Sequence, residues 1–386
     1  MSALRLLRSF VALLVASGVG LPWVAWAQQP IRIGASISMT GSYAKPGAYG
    51  REGYVLCQKH VNEQGGVLGR PIEFVIYDDR SDPQTAVRLY ERLITEDKVD
   101  VVMGPYSSPV TEAVANVSEK YERLMMAPLA ATTSIWEKGR KYLFMTVSPS
   151  EVYLEGLIDL AARNGLKTIA LINEDTLFPK ASVKGARELA KKRGMEVIFQ
   201  EAYPKGNTDF SAILIKIKGA KPDVLGAATY FDDVVAITRQ MKDLDVNVKM
   251  FGSTVGGDLP EFYGLLKQNA DYIYGATQWE PTLPYPGQKE FNRPPSYHSA
   301  TSYAGCQLFV GAVRQVGSLD RQKLRLYLLN LRTKTAFGDY QVDERGFQIG
   351  HKMVTIQWQE GKQVLVWPDE VATGTPRFPT PPWSQR

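Results

Sequence analysis

Two short turns in this chain collect residues able to hold a negative charge. The first, Tyr106-Ser107-Ser108, follows an apolar run from Val99 to Met103 and a break at Gly104-Pro105. The second, Ala130-Ala131-Thr132-Thr133, follows the apolar run Leu124 to Ala127. Small, hydroxyl-bearing residues leave backbone N–H groups accessible and add O–H donors, which suits an anion. The competing account makes the first turn a plain helix cap, with Ser108 and Thr111 serving only the backbone.

Between the turns, Val110, Ala113, Val114 and Val117 recur at helical spacing. The order is therefore strand, polar turn, helix, strand, polar turn. This is a βαβ unit whose strands end on the same side. Ligands of open parallel sheets sit just outside those carboxyl ends.

No residues assemble into a reaction centre. The chain has no G-x-G-x-x-G, no P-loop and no nucleophile elbow, and Gly252-Ser253-Thr254-Val255-Gly256 lacks the central serine. A general base would have to stand near the turns, yet His60 falls within a helical pattern and His298 in an irregular segment. With His351 they have no ligand spacing, so neither a metal nor a cofactor is expected. Hydroxyls and aromatics at strand ends hold ligands; they rarely break bonds.

The rest of the chain repeats the alternation. A first βα series begins at Ile31 and runs through Ile72 to Tyr77 and the opening βαβ unit to Tyr142–Val147. A second restarts after Pro149, with strands at 168–172, 195–199, 223–227, 248–251 and 273–276 separated by helical patterns. Pro281, Pro284, Pro286, Pro294 and Pro295 then mark an irregular crossing segment. Two helices follow, Ser299 to Val316 and Leu319 to Leu331, then strands at 339–342, 353–358 and 362–367 and a proline-rich tail. The fold class is α/β with parallel-sheet cores.

The 386 residues suffice for two ordinary domains. Arg5 and Arg8, the apolar stretch Phe10 to Val19 and Ala25-Trp26-Ala27 have the layout of a cleaved secretory signal over residues 1–27. A membrane anchor is the alternative, but an apolar core of about ten residues ending at Gly20 and Pro22 is short for a bilayer. The net charge of +5 becomes +3 without the signal, because Arg5 and Arg8 are its only charged residues. Lys191-Lys192-Arg193 closes a helical pattern and complements its dipole, so nucleic acid is not an expected partner. Cys57 and Cys306 both fall in helical patterns; a bridge and two buried free thiols are both open, and the free thiols are favoured.

Specific runs then resemble a known family. Ile33-Gly34 through Met39-Thr40-Gly41, Asn62-x-x-Gly65-Gly66-Val67-Leu68-Gly69 and Asp78-Asp79-x-x-Asp82-Pro83 are similar to the leucine/isoleucine/valine-binding periplasmic proteins. Gly104 to Ser108, Pro128 to Thr132 and Asp209-Phe210-Ser211 continue the likeness. The resemblance implies a type I periplasmic binding protein fold: two Rossmann-like lobes joined by a multi-strand hinge and closing on one small ligand. Lobe 1 would comprise 28–149 and 278–334, lobe 2 150–277 and 335–386. The implied role is that of a periplasmic monomer delivering solute to the membrane permease of an ABC importer.

Carried over by motif, Ser108, the backbone at Ala130 and Thr132, and the Thr132 hydroxyl would grip a ligand carboxylate. Phe178 falls at a tyrosine position of the family and Tyr230 matches another; Tyr43 and Tyr49 are further candidates for the pocket wall. All four aromatics have core packing as the alternative. Two departures stand out. Thr254 replaces the family's glutamate for the ligand ammonium, and a buried ammonium without a carboxylate is costly, unless Asp232 or Asp233 reaches in. Ser81 and Ser107 occupy the positions of the family's early disulfide. The expected ligand is therefore an organic acid lacking the α-amino group, an aromatic acid in particular. The alternatives are a branched-chain amino acid or an amide, a sensory module for a membrane receptor, and, least favoured, an exported hydrolase.

Overall fold

The computed structural model describes residues 29–285 and 295–386. The expected export signal at residues 1–27, and Pro286 and Pro294 of the crossing segment, lie outside the described residues. Two sheets organise the chain. The first is built from β1 (Ile31–Ile37), α1 (Ala44–Glu63), β2 (Ile72–Asp78), α2 (Pro83–Thr95), β3 (Val101–Met103), α3 (Ser108–Lys120), β4 (Met125–Ala127) and β5 (Leu143–Met145). Its strand order is β2-β1-β3-β4-β5, all parallel. Val101–Met103, Met125–Ala127 and Leu143–Met145 are buried throughout, which explains why their sequences read as continuous apolar runs without alternation.

The second series runs α4 (Glu155–Arg163), β6 (Thr168–Glu174), α5 (Leu177–Lys192), β7 (Glu196–Tyr203), α6 (Ser211–Ala220), β8 (Val224–Ala228), α7 (Phe231–Asp243), β9 (Met250–Ser253), α8 (Pro260–Leu266) and β10 (Tyr274–Thr277). After the crossing segment come α9 (Tyr297–Val316), α10 (Arg321–Asn330), β11 (Arg332–Thr335), β12 (Gly338–Gln341), β13 (Val354–Gln359) and β14 (Lys362–Trp367). The seven-stranded order is β14-β13-β10-β9-β8-β6-β7, with β13 and β14 antiparallel on one edge. The β11–β12 ribbon stands apart. Its first strand, Arg332-Thr-Lys-Thr, has no apolar residue to announce it, so the sequence pattern does not reveal it.

The return of α9 to the first sheet corrects the reading of the cysteines. Cys57 on α1 and Cys306 on α9 are joined in a disulfide, with Cα atoms 6.3 Å apart. The preference for free thiols fails because 249 residues separate the two and only tertiary packing brings the helices together. Gly53 permits that packing: a Cβ there would stand 2.2 Å from the Ser299 carbonyl oxygen. Among the described residues, no helix is long and apolar enough to cross a membrane.

Candidate functional site

The two hydroxyl turns meet at the carboxyl ends of β3 and β4. The Ser108 hydroxyl oxygen accepts the Ala131 N–H at 3.1 Å, stitching one turn to the other. Ser107 is the N-cap of α3 but its side chain makes no cap bond, and its buried hydroxyl has no partner among the described residues. The loop before α1 is held by the paired aspartates that follow β2. Asp79 accepts from Ser36 and Ser38, each at 2.7 Å, and Ser38 also reaches the Tyr106 carbonyl at 3.1 Å. Asp78 accepts from the Met39 N–H at 2.9 Å and the Thr40 hydroxyl at 2.7 Å.

Against these turns the second sheet presents Phe178 at the start of α5 and Tyr230 at the start of α7. Ring centroids lie 4.6 Å apart for Tyr43–Tyr230, 6.1 Å for Tyr106–Tyr230 and 5.8 Å for Phe178–Tyr230. Tyr153 packs edge-on to Phe178 at 5.0 Å, and its hydroxyl is fixed by the Gln278 amide at 2.6 Å. The rings of Tyr106, Tyr153, Phe178, Tyr230 and Tyr297, with Ser107, Ser108, Ala131, Val255 and His298, line a narrow cavity, with about 290 Å³ of atom-free space when the part open to solvent is included. None of its lining residues carries a carboxylate, ammonium or guanidinium. Burial raises the hydroxyl pKa of Tyr106, Tyr230 and Tyr297 far above the ordinary phenol value and drives the His298 imidazole down to about 3. The cavity is a neutral, donor-bearing aromatic chamber.

A family model described as periplasmic binding protein matches residues 30–363. The chain belongs to the periplasmic binding protein family. Members of this family are periplasmic, non-enzymatic carriers that bind small ligands and work with ABC-transporter permeases. This binding protein is 24% identical over 371 residues to the leucine-, isoleucine-, valine-, threonine- and alanine-binding protein of Pseudomonas aeruginosa, covering 92% of this chain and 96% of that one. Its fold is shared with LivJ of Streptococcus pneumoniae in complex with isoleucine, at TM-score 0.78 and 22% identity over 88% of this chain and 100% of that one. A solute-binding protein of R. palustris in complex with benzoate gives TM-score 0.78 at 20% identity, covering 87% and 95%.

Within the binding protein, Ser108, Phe178 and Tyr230 line the cavity. Ala130 and Thr132 are buried beside it, and the Thr132 hydroxyl has no partner among the described residues. Tyr43 packs at a tilt against Tyr230, with its hydroxyl 3.4 Å from Glu174. Thr254 turns away: its hydroxyl donates to the Thr229 carbonyl and accepts the Thr229 N–H, both at 3.0 Å, and Val255 takes the place on the wall. Tyr49 leaves the cavity for the cleft rim, entering the apolar cluster of the second sheet with its hydroxyl 2.9 Å from Glu261. Asp232 is exposed and Asp233 accepts the Tyr203 hydroxyl at 2.9 Å, so neither reaches the chamber. Sequence reasoning places Tyr106 and Ser107 in the anion-holding turn without naming them as wall residues, and misses Tyr153, Tyr297 and His298. The first two stand in the opening turn, where the family motif singles out Ser108 alone.

Two testable consequences arise here. Burial, then the nearby Glu174 charge, raises Asp233 from 3.8 to about 7. Its protonated form is thus favoured in the fold, and stability should fall as pH rises from about 4 to 7. Asp233→Asn should flatten that part of the profile, read as urea midpoints at several pH values; a profile unchanged by the substitution contradicts this. At the rim, Glu261 of α8 receives Lys45 at 3.3 Å and Tyr49, tying α1 to the second sheet. An exposed pair is worth about 0.2–1 kcal/mol, so Glu261→Ala should weaken ligand binding by roughly 1.4- to fivefold in calorimetry, less so at high salt. Unaltered affinity would show that the rim contact contributes nothing to binding.

Proposed function

We propose that this binding protein captures a small organic carboxylate lacking an α-amino group, an aromatic acid in particular, and delivers it to the membrane permease of an ABC importer. One observation carries the reading: the chamber offers hydroxyl and backbone donors and five aromatic rings, with no carboxylate among its lining residues to pair an ammonium. The ligand carboxylate would sit at the N-terminus of α3, where unpaired N–H groups and the helix dipole favour negative charge, held by Ser108, Thr132 and the backbone at Ala130. Phe178 and Tyr230 would cover the ring. Residues 1–27 would direct export. The lobes, 28–149 with 278–334 and 150–277 with 335–386, would close around the ligand, which selects the closed state by binding it better.

The benzoate held by the R. palustris neighbour supports this class. The amino-acid ligands named for the Pseudomonas and Streptococcus relatives define the alternative, which needs a carboxylate at the ligand's nitrogen. Asp258, the acid that follows Thr254 most closely, lines a neighbouring cavity with Glu280 beyond Tyr297 instead. Thermal-shift screening of purified protein against benzoates, hydroxycinnamates and aliphatic amino acids tests the reading. Stabilisation by leucine with none by any aromatic acid would overturn it.

A further inference from the structure

His298, at the start of α9, has a feature that packing alone leaves unexplained. Its ring is 1% exposed, lies on the cavity wall and has no partner for Nε2 among the described residues. The other ring nitrogen is committed. Nδ1 lies 2.8 Å from the Ser296 hydroxyl oxygen, and that same oxygen accepts the His298 backbone N–H at 3.2 Å. Because the oxygen already accepts the backbone N–H, its own hydrogen is free to go to Nδ1. The reverse arrangement would strand the serine hydrogen and the Nε2 lone pair together, two unmet polar groups in a buried place. The proton of the neutral imidazole therefore resides on Nε2. Tyr297 stacks on the ring at 3.9 Å and Tyr106 meets it edge-on at 5.4 Å, so the ring cannot swing away to find another acceptor.

We propose that His298 is a specificity-determining residue whose Nε2–H donates to a second oxygen of the ligand, distinct from the carboxylate. The preferred acids carry a ring hydroxyl or carbonyl. The proposal rests on the acid-binding reading above and deepens it. In that reading Ser108, Thr132 and the turn backbone would supply donors for the four lone-pair directions of a carboxylate. A further fixed N–H would be surplus to that group and is satisfied only by another acceptor. A site built to hydrogen-bond a substrate oxygen rejects the analogue lacking it, because its own buried donor is then left unmet. Ser296 is a positioning residue that sets the tautomer.

The test is calorimetric titration of the purified protein with benzoate, its three monohydroxy isomers and leucine, using wild type, His298→Leu, His298→Gln and Ser296→Ala. Wild type should bind at least one hydroxy isomer roughly tenfold or more tightly than benzoate. His298→Leu should bring the two within about twofold by weakening only the hydroxy acid, and His298→Gln should keep part of the preference. Because burial holds the ring neutral, the preference should not change between pH 5.5 and 8. Equal binding of benzoate and all its hydroxy isomers by wild type would overturn this proposal while leaving the acid-binding reading intact. An equal loss for both acids in His298→Leu would do the same, by moving His298 into the carboxylate grip. Binding of leucine alone would overturn both. If the leucine variant fails to fold, nitrogen-15 shifts of the histidines in the wild-type protein decide the tautomer, and a proton on Nδ1 overturns the proposal.

Discussion

Replacing Tyr230 by alanine is expected to weaken ligand binding severely while leaving the fold intact. The side chain is 3% exposed and forms the junction of three aromatic contacts, to Tyr43, Tyr106 and Phe178. Two of those rings belong to the first sheet's side of the cleft, so in the proposed closure Tyr230 would join the two sides as well as line the chamber. Aromatic pairs are worth about 0.5–1.5 kcal/mol each beyond burial. Losing the contacts to Tyr43 and Tyr106 would therefore cost closure about 1–3 kcal/mol, before any lost contact with the ligand is counted. That alone is an affinity loss of roughly 5- to 150-fold, at about 1.4 kcal/mol per decade, and the lost ligand contact adds to it. Tyr230→Phe separates ring from hydroxyl. The hydroxyl has no partner among the described residues, so the phenylalanine variant should fold as stably as wild type, and any affinity it loses measures a ligand contact made by the oxygen. Wild-type affinity in the alanine variant, measured by calorimetry beside a melting curve, would remove Tyr230 from the site.

The limits of the sequence follow from which signals are local. β3 and β4 announce themselves as apolar runs because they are buried on both faces, and the turns after them stand out by their hydroxyl-bearing residues. The donors of the chamber are thus legible from residue types and spacing alone. Its aromatic cover is legible only in part: Phe178 and Tyr230 come through family motif, whereas Tyr153 and Tyr297 look like core aromatics and become wall residues only when two distant segments cross. Thr254 shows the opposite limit. Its position matches the motif, yet a threonine hydroxyl can satisfy itself on a neighbouring strand end, and here it bridges the Thr229 backbone. His298 carries no periodicity and no motif partner; its meaning lies in an unmet Nε2 that no pattern of residue types encodes. The Cys57–Cys306 pairing is hidden for the same reason, because helix packing across 249 residues leaves no local trace.

That disulfide is expected to govern the stability of the first sheet's half of the molecule. α9 reaches α1 only after the chain has built most of the second sheet, so its docking closes a very long loop. A cross-link removes much of that loop's freedom from the unfolded chain, typically worth about 2–5 kcal/mol in native bridges. Cys57→Ala combined with Cys306→Ala avoids leaving a lone thiol and should lower the melting temperature by roughly 4–10 °C, taking about 2 °C per kcal/mol for a chain of this size. Reducing agent should reproduce the shift in wild type and add nothing to the double variant. The functional effect has a definite direction, because α9 carries Tyr297 and His298 at its first turn. Loosening its anchorage should weaken ligand binding more than the loss of any single exposed contact at the rim. A melting shift below about 2 °C would mean that Gly53 and the packed faces of α1 and α9 hold the helices together unaided. A bridge that matters this much also requires an oxidising compartment, which is where a periplasmic binding protein works.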